Sequence, residues 1–224
     1  MGLLAQDNPH AYDATQNHLS DALNLPPSEI NALHDLYFST NGENWIWQGD
    51  GGALWNFTGD PNPCADSWQG VFCTMAEPGD TTLHVVKLEL VDYYLSGYIP
   101  SSLSDLVRLE VLLLQDNYIT GSIPSSLGSC SQLTELSLYL NELTGSIPFS
   151  LGNCSLLTTL ILNTNFLSGP IPSTLGNCSI LNDLYLHYNE LTGTIPSSLS
   201  QLKQLDVLYL SSNDLTGSIP ASLA

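Results

Sequence analysis

Residues 133–148 read Leu133-Thr134-Glu135-Leu136-Ser137-Leu138-Tyr139-Leu140-Asn141-Glu142-Leu143-Thr144-Gly145-Ser146-Ile147-Pro148. Leu136 and Leu138 alternate with outward positions, the period-two pattern of a strand with one buried face. The same register recurs every 24 residues. Asparagines stand at Asn117, Asn141, Asn165, Asn189 and Asn213, and glycines at Gly97, Gly121, Gly145, Gly169, Gly193 and Gly217. An Ile-Pro pair follows each glycine by two residues, from Ile99-Pro100 to Ile219-Pro220. Three columns in phase define a repeat, which governs the fold before any local propensity does.

Each column has a physical role. Identical turns stack their strands into a parallel sheet, about 4.8 Å per turn. After each strand the chain bends inward, where backbone groups need partners away from water. An Asn amide carries both a donor and an acceptor, so a stack of them can satisfy neighbouring turns. Glycine is expected to supply a turn that a Cβ would obstruct. Proline fixes φ on the far side, where no ladder needs its missing N–H. No single turn can bury its own leucines, so stability is collective.

These residues resemble the leucine-rich repeat family, in its 24-residue plant-type form with Leu-x-Gly-x-Ile-Pro. The resemblance implies an α/β repeat fold, a right-handed solenoid with a parallel concave β-sheet. It covers 85–224 as five full repeats and a truncated sixth. Tyr93 stands where the first repeat should carry Asn.

Ahead of the repeats, residues 1–27 read as an acidic, extended or poorly ordered arm and 28–84 as an N-terminal cap. Ser28 is expected to cap a helix with Glu29 in its first turn, and Ile30, Leu33, Leu36 and Tyr37 share one face. Trp45, Trp47, Trp55 and Trp68 follow; they either cover the leucine core at the first turn or form a platform for sugars. The run from Ala32 through Asn41-Gly42 to Trp45, with Pro63-Cys64 and Trp68-x-Gly70-Val71-x-Cys73, resembles the cysteine-paired cap of secreted leucine-rich repeat proteins. The long Trp-rich spacer is similar to algal and protist versions. The resemblance implies a Cys64–Cys73 disulfide and a secreted, extracellular or organelle-luminal location. The chain as given shows no signal-peptide core and no stretch near the roughly 18 apolar residues of a membrane span.

The chain has 224 residues, with three Lys and Arg against 22 Asp and Glu, a net charge of −19. Residues 1–80 hold 11 of the acids and no base. Nucleic-acid binding and adhesion to anionic membranes need cations the chain lacks. At 43% hydrophobic and 11% charged, it is nonetheless a folding composition. Cys130, Cys154 and Cys178 occupy the position that Leu106 and Leu202 fill elsewhere, an apolar core site suited to buried free thiols. Asn56, Asn153 and Asn177 each begin an Asn-x-Ser/Thr sequon.

The sheet's outward columns place Glu135, Tyr139, Asp183, Tyr185, His187, Tyr188 and Tyr209 on its later turns. Tyrosine supplies contact area with a polar tip, the composition of interface hot spots. No nucleophile elbow, phosphate loop, metal-ligand pair or cofactor motif appears. The expected function is therefore non-catalytic recognition of a protein, peptide or glycan, without cofactor or metal. The alternatives are a structural subunit of a larger assembly or, as a minor reading, ice binding, against which the mixed concave columns argue. The sixth turn is incomplete, and a partner or further segment is expected to cover its apolar end.

Overall fold

A computed structural model describes residues 24–49, 51–75 and 82–223. The expected arm therefore lies, through residue 23, outside the described residues. From Asn24 the chain already packs: Leu83 N–H donates to the Asn24 carbonyl, and Leu25 is buried.

The fold is a leucine-rich repeat solenoid. Its principal sheet has seven strands: β1 (Val71–Met75), β2 (Leu83–Glu89), β4 (Val111–Leu113), β6 (Glu135–Ser137), β8 (Thr159–Ile161), β10 (Asp183–Tyr185) and β12 (Val207–Tyr209), in that order. β1 pairs antiparallel with β2, and every later pairing is parallel and in register, as in Leu112↔Leu136↔Leu160. The strand leucines Leu88, Leu112, Leu136, Leu160 and Leu184 are fully buried, Leu208 of the last strand is half-buried, and the residues that alternate with them face outward.

A second layer was not anticipated in the sequence. β7 (Thr144–Ser146), β9 (Phe166–Pro170), β11 (Glu190–Thr194) and β13 (Asp214–Thr216) form a four-stranded sheet on the flank. β3 (Ser96–Tyr98) and β5 (Tyr118–Thr120) form a two-stranded one. The Gly145 turn thus belongs to a strand, and its glycine is required for a reason other than the one expected. An added Cβ would meet only ordinary contact with Ser122 Cβ at 3.5 Å, but φ is +75°, a conformation that disfavours side chains. At Gly152 the reverse holds: a Cβ would stand 2.3 Å from the Thr174 carbonyl, where successive turns touch. Beyond each of the first five Ile-Pro pairs, a five-residue 3-10 segment such as Ser125–Ser129 carries the chain back toward the next strand.

The Asn column ties the turns together. Asn141 Oδ1 accepts from Ile119 N–H at 2.9 Å, and Nδ2 donates to the Leu114, Leu138 and Tyr139 carbonyls. Asn117, Asn165, Asn189 and Asn213 repeat the arrangement one turn at a time. Tyr93 is buried in the first turn, and its N–H donates to Asn117 Oδ1, so the ladder runs up to the cap.

The cap helix α1 (Pro27–Ser39) starts two residues earlier than expected, with Pro26 at the N-cap and no side-chain cap bond. Ser28 is therefore not the cap; proline's fixed φ suits the first helical position instead. Glu29 does more than complement the helix dipole. It is fully buried, and its carboxylate meets His84 Nδ1 at 2.6 Å and Val85 N–H at 2.8 Å, joining helix to β2. Trp45, Trp55 and Trp68 are buried over the first turn. The Trp45 indole N–H donates to the Thr40 carbonyl and the Trp55 indole N–H to the Gln69 carbonyl. Their faces are consumed by packing, which removes them as a sugar platform. Cys64 and Cys73 are disulfide-bonded, with Cα atoms 5.8 Å apart, fastening the loop before β1 to that strand.

Replacing Asn141 by Ala orphans the Ile119 N–H and takes one of two amide donors from each of the Leu114 and Leu138 carbonyls, at a cost of about 3 kcal/mol. The thermal midpoint followed by circular dichroism should drop by roughly 6–12 °C. The same change at Asn213, which is half-buried in the last turn, should cost about 1 kcal/mol. Equal shifts at the two positions, or none at Asn141, would contradict a load shared through the column.

Candidate functional site on the seven-stranded sheet

Alternation along each short strand fixes which side chains reach the outward face. In β10, Leu184 enters the core, so Asp183 and Tyr185 turn outward; in β12, Leu208 leaves Val207 and Tyr209 outward. The parallel register sets Tyr185 directly against Tyr209, and their rings meet edge-to-face at 5.1 Å. His187, two residues past Tyr185, packs its ring 5.6 Å from Tyr209 and 5.4 Å from Tyr188. Four of the expected residues thus form one aromatic cluster over two turns.

Tyr188 sits just past the strand at φ +53° and is 60% exposed. The equivalent residues Asp92, Asp116, Leu140, Thr164 and Ser212 share this left-handed conformation, although none is glycine. The Asn ladder clamps that bend on both sides, which is how a tyrosine is held in a region ordinarily left to Gly or Asn.

Glu135 and Asp183 lie in one cross-strand row with Thr159 between them, about 10 Å apart at sheet spacing. Tyr139 stands two turns from His187 in the same column and makes no ring contact among the described residues. The structure therefore gathers Tyr185, His187, Tyr188 and Tyr209, sets Asp183 beside them, and leaves Glu135 and Tyr139 apart.

Burial lowers the His187 pKa, keeping the imidazole neutral near pH 7, and its Nδ1 has no hydrogen-bond partner. Gln115 Oε1 and Ser137 Oγ are likewise enclosed and unpaired. The face begins further toward the N-terminus than its sequence columns suggest. Phe72 of β1, Gln48, Glu89, Val91 and Tyr93 line a cleft of about 270 Å³ at its start. Lys87 Nζ lies 5.0 Å over the Phe72 ring and 2.7 Å from Glu89. Only the β1–β2 pairing brings Phe72 here, and nothing in the repeat signals it. Tyr94, Tyr98 and Tyr118 form a separate exposed group on the flank of the first turns.

Cys130, Cys154 and Cys178 are free and buried, and burial pushes each thiol up to about 11. They stay protonated at neutral pH, without the thiolate that oxidation or metal binding requires. Asn56 is exposed, and its Oδ1 accepts from Thr58 N–H and Oγ1, leaving Nδ2 toward solvent. Asn153 and Asn177 are exposed at the ends of 3-10 segments, each ahead of a buried cysteine. Among the described residues, no group of three or more His, Cys, Asp or Glu is placed to hold a metal ion. None of the described helices is long and apolar enough to cross a membrane.

Leucine rich repeat models match residues 155–215, and 108–130 with 132–154. The structure is similar to the ectodomain of the receptor kinase SOBIR1 from Arabidopsis thaliana, at 28% identity and a TM-score of 0.72, covering 88% of this chain and all of that one. It is similar to a chain of the BIR3–SERK2 complex from Arabidopsis thaliana at 32% identity and a TM-score of 0.64, covering 83% and 96% of the two chains. A plant ice-binding protein aligns at 28% identity and a TM-score of 0.73, over 89% of this chain and 60% of that one. No curated protein matches the sequence. The chain belongs to the leucine-rich repeat family, and its structural relatives include plant receptor-kinase ectodomains.

Proposed function

We propose that this chain is a non-catalytic recognition module. Its partner is a protein, peptide or glycan, bound on the outward face of the seven-stranded sheet through Glu135, Tyr139, Asp183, Tyr185, His187, Tyr188 and Tyr209. The observation that carries the reading is the contiguous aromatic cluster of Tyr185, His187, Tyr188 and Tyr209. The rings are pre-packed on one another, so little side-chain entropy is lost when a partner covers them. Similarity to a chain of the BIR3–SERK2 complex, an assembly of two proteins, supports a protein partner.

In this reading the chain is of the 24-residue plant type, with residues 28–84 as a cysteine-paired cap on repeats 85–224. It works outside the cytosol, as a secreted, extracellular or luminal glycoprotein. The Cys64–Cys73 bond and the likeness to receptor ectodomains support that location. Asn56 is the preferred glycan acceptor, since its amide nitrogen points to solvent; Asn153 and Asn177 are secondary. The apolar cleft at the last turn, about 580 Å³ and lined by Leu199, Leu205, Leu208 and Leu223 among others, is covered by a partner.

A second reading, ice binding, draws on the flank instead. Thr120, Thr144, Ser168, Thr192 and Thr216 recur once per turn beside Ser122, Ser146, Thr194 and Ser218. A regular hydroxyl lattice is what an ice plane would match, and a plant ice-binding protein is among the similar structures. Phe166, Glu190 and Asp214 interrupt the lattice, because strand pairing sets residue 168 against 190 and 192 against 214. That interruption places this reading second. Thermal hysteresis of a supercooled solution decides it: a gap between melting and freezing, lost on Thr192→Lys, supports ice binding, and unmodified crystal growth rejects it.

Recognition is tested with the combined Tyr185→Ala and Tyr188→Ala variant, against a partner first isolated with the wild-type chain. Its dissociation constant by calorimetry should rise about 30-fold or more, the scale of two hot-spot losses. Its thermal midpoint should stay within roughly 2 °C of wild type. An unaltered constant would remove these residues from the interface.

A further inference from the structure

The hydrogen-bonding balance of the same face says what its partner brings. Glu89, Asp92, Asp116, Glu135 and Asp183 lie on the sheet's outward columns or on the bend beside them. The only base there is Lys87, already engaged by Glu89 and the Phe72 ring. Of the other two bases, Arg108 lies in the turn before β4, and Lys203 donates to the Ser200 carbonyl.

A row of carboxylates on a surface is commonly no more than a solvated face. Here a second observation points to a ligand. Ser137 is 1% exposed, yet its Oγ has no partner, and it faces outward beside Glu135 on the same strand. Gln115 Oε1 and His187 Nδ1 are enclosed and unpaired in the adjoining column. An enclosed polar atom without a partner is destabilising unless something supplies the bond. Gln115 Oε1 can only accept, and neutral His187 accepts at Nδ1 when its proton sits on Nε2. The face is left with surplus acceptors, unpaired carboxylates and aromatic rings.

We propose that the partner of this face is an extended basic peptide segment whose Arg or Lys side chains lodge at Asp183 and Glu135. A guanidinium paired with the Asp183 carboxylate reaches the Tyr185 ring, two residues along on the same side, so charge pairing and cation–π contact act together. Peptide N–H groups supply donors to Gln115, Ser137 and His187. An acidic peptide would bring more acceptors to a face that already has too many. This inference rests on the recognition reading above and specifies its ligand.

Three biotinylated Gly/Ser dodecapeptides, carrying four Arg, four Glu or neither, serve as probes in interferometry against the full chain. The Arg peptide should bind about tenfold or more tighter than the neutral one and weaken as NaCl rises from about 50 to 300 mM. Asp183→Asn and Glu135→Gln should each cost about fivefold. The chain's overall charge is controlled by combining Glu142→Gln and Glu190→Gln on the flank, which should leave affinity within about twofold. The proposal is overturned if the Arg peptide fails to bind at about 1 mM. It is equally overturned if the neutral or acidic peptide binds as tightly, or if the flank variant loses as much as the face variants. Should these fail while the Tyr185 and Tyr188 variant still loses its isolated partner, recognition stands and only the basic ligand falls.

Discussion

Every turn of this molecule has to bring a parallel strand back beside the previous one, and the bend that permits it buries backbone groups no strand can pair. The asparagine amide resolves that constraint. Asn165 donates to carbonyls of its own turn and of the previous one, and accepts from the Leu143 N–H that opens the flank. One side chain thereby sets the strand, the bend and the start of the second sheet. The leucines supply the favourable free energy of burial, but without directional bonds they would not fix the register. The outward face is orderly because the ladder beneath it is.

The same constraint explains the ends. At the first turn no Asn is present, and Tyr93 occupies the position, its N–H held by Asn117 and its hydroxyl near Gln69. Gln69 also bonds Gln48 and Gly52, so the cap's loop is threaded onto the ladder's last rung. Glu29 anchors the helix from the other side, through His84 and Val85. Buried tryptophans and a disulfide close what the repeat cannot close itself. Gly97 marks the seam, because a Cβ there would stand 2.0 Å from the Ser39 carbonyl at the end of the helix.

Much of this was legible in the sequence because a repeat reports itself many times over. The leucine and asparagine columns led directly to the solenoid and its principal sheet. The flank sheet was not legible: Thr-Gly-Ser is poor strand sequence, and its pairing arises from the neighbouring turns. Glu29 read as a helix-dipole residue because its partners His84 and Val85 lie about 55 residues away, beyond any local pattern. Ser28 looked like a cap because the rule for Ser is strong, and Pro26-Pro27 won because proline presets the entry. At the candidate site the columns located each outward residue, but not which rings touch. Tyr185 and Tyr209 meet because their strands are adjacent, whereas Tyr139 lies two turns from His187 and stands alone. The acidity noted first as an exclusion of nucleic acid acquires a direction once the face is seen to hold one base, itself paired.

The most direct test of the account is hydroxyl-radical footprinting of the tyrosines, free and with the bound partner, read by mass spectrometry. The chain carries its own control, since Tyr94, Tyr98 and Tyr118 are exposed on the flank while Tyr188 and Tyr209 are exposed on the face. The account predicts that the partner shields Tyr185, Tyr188 and Tyr209 and leaves the flank tyrosines oxidised as before. Protection of Tyr94, Tyr98 and Tyr118 with Tyr188 and Tyr209 unchanged would contradict it.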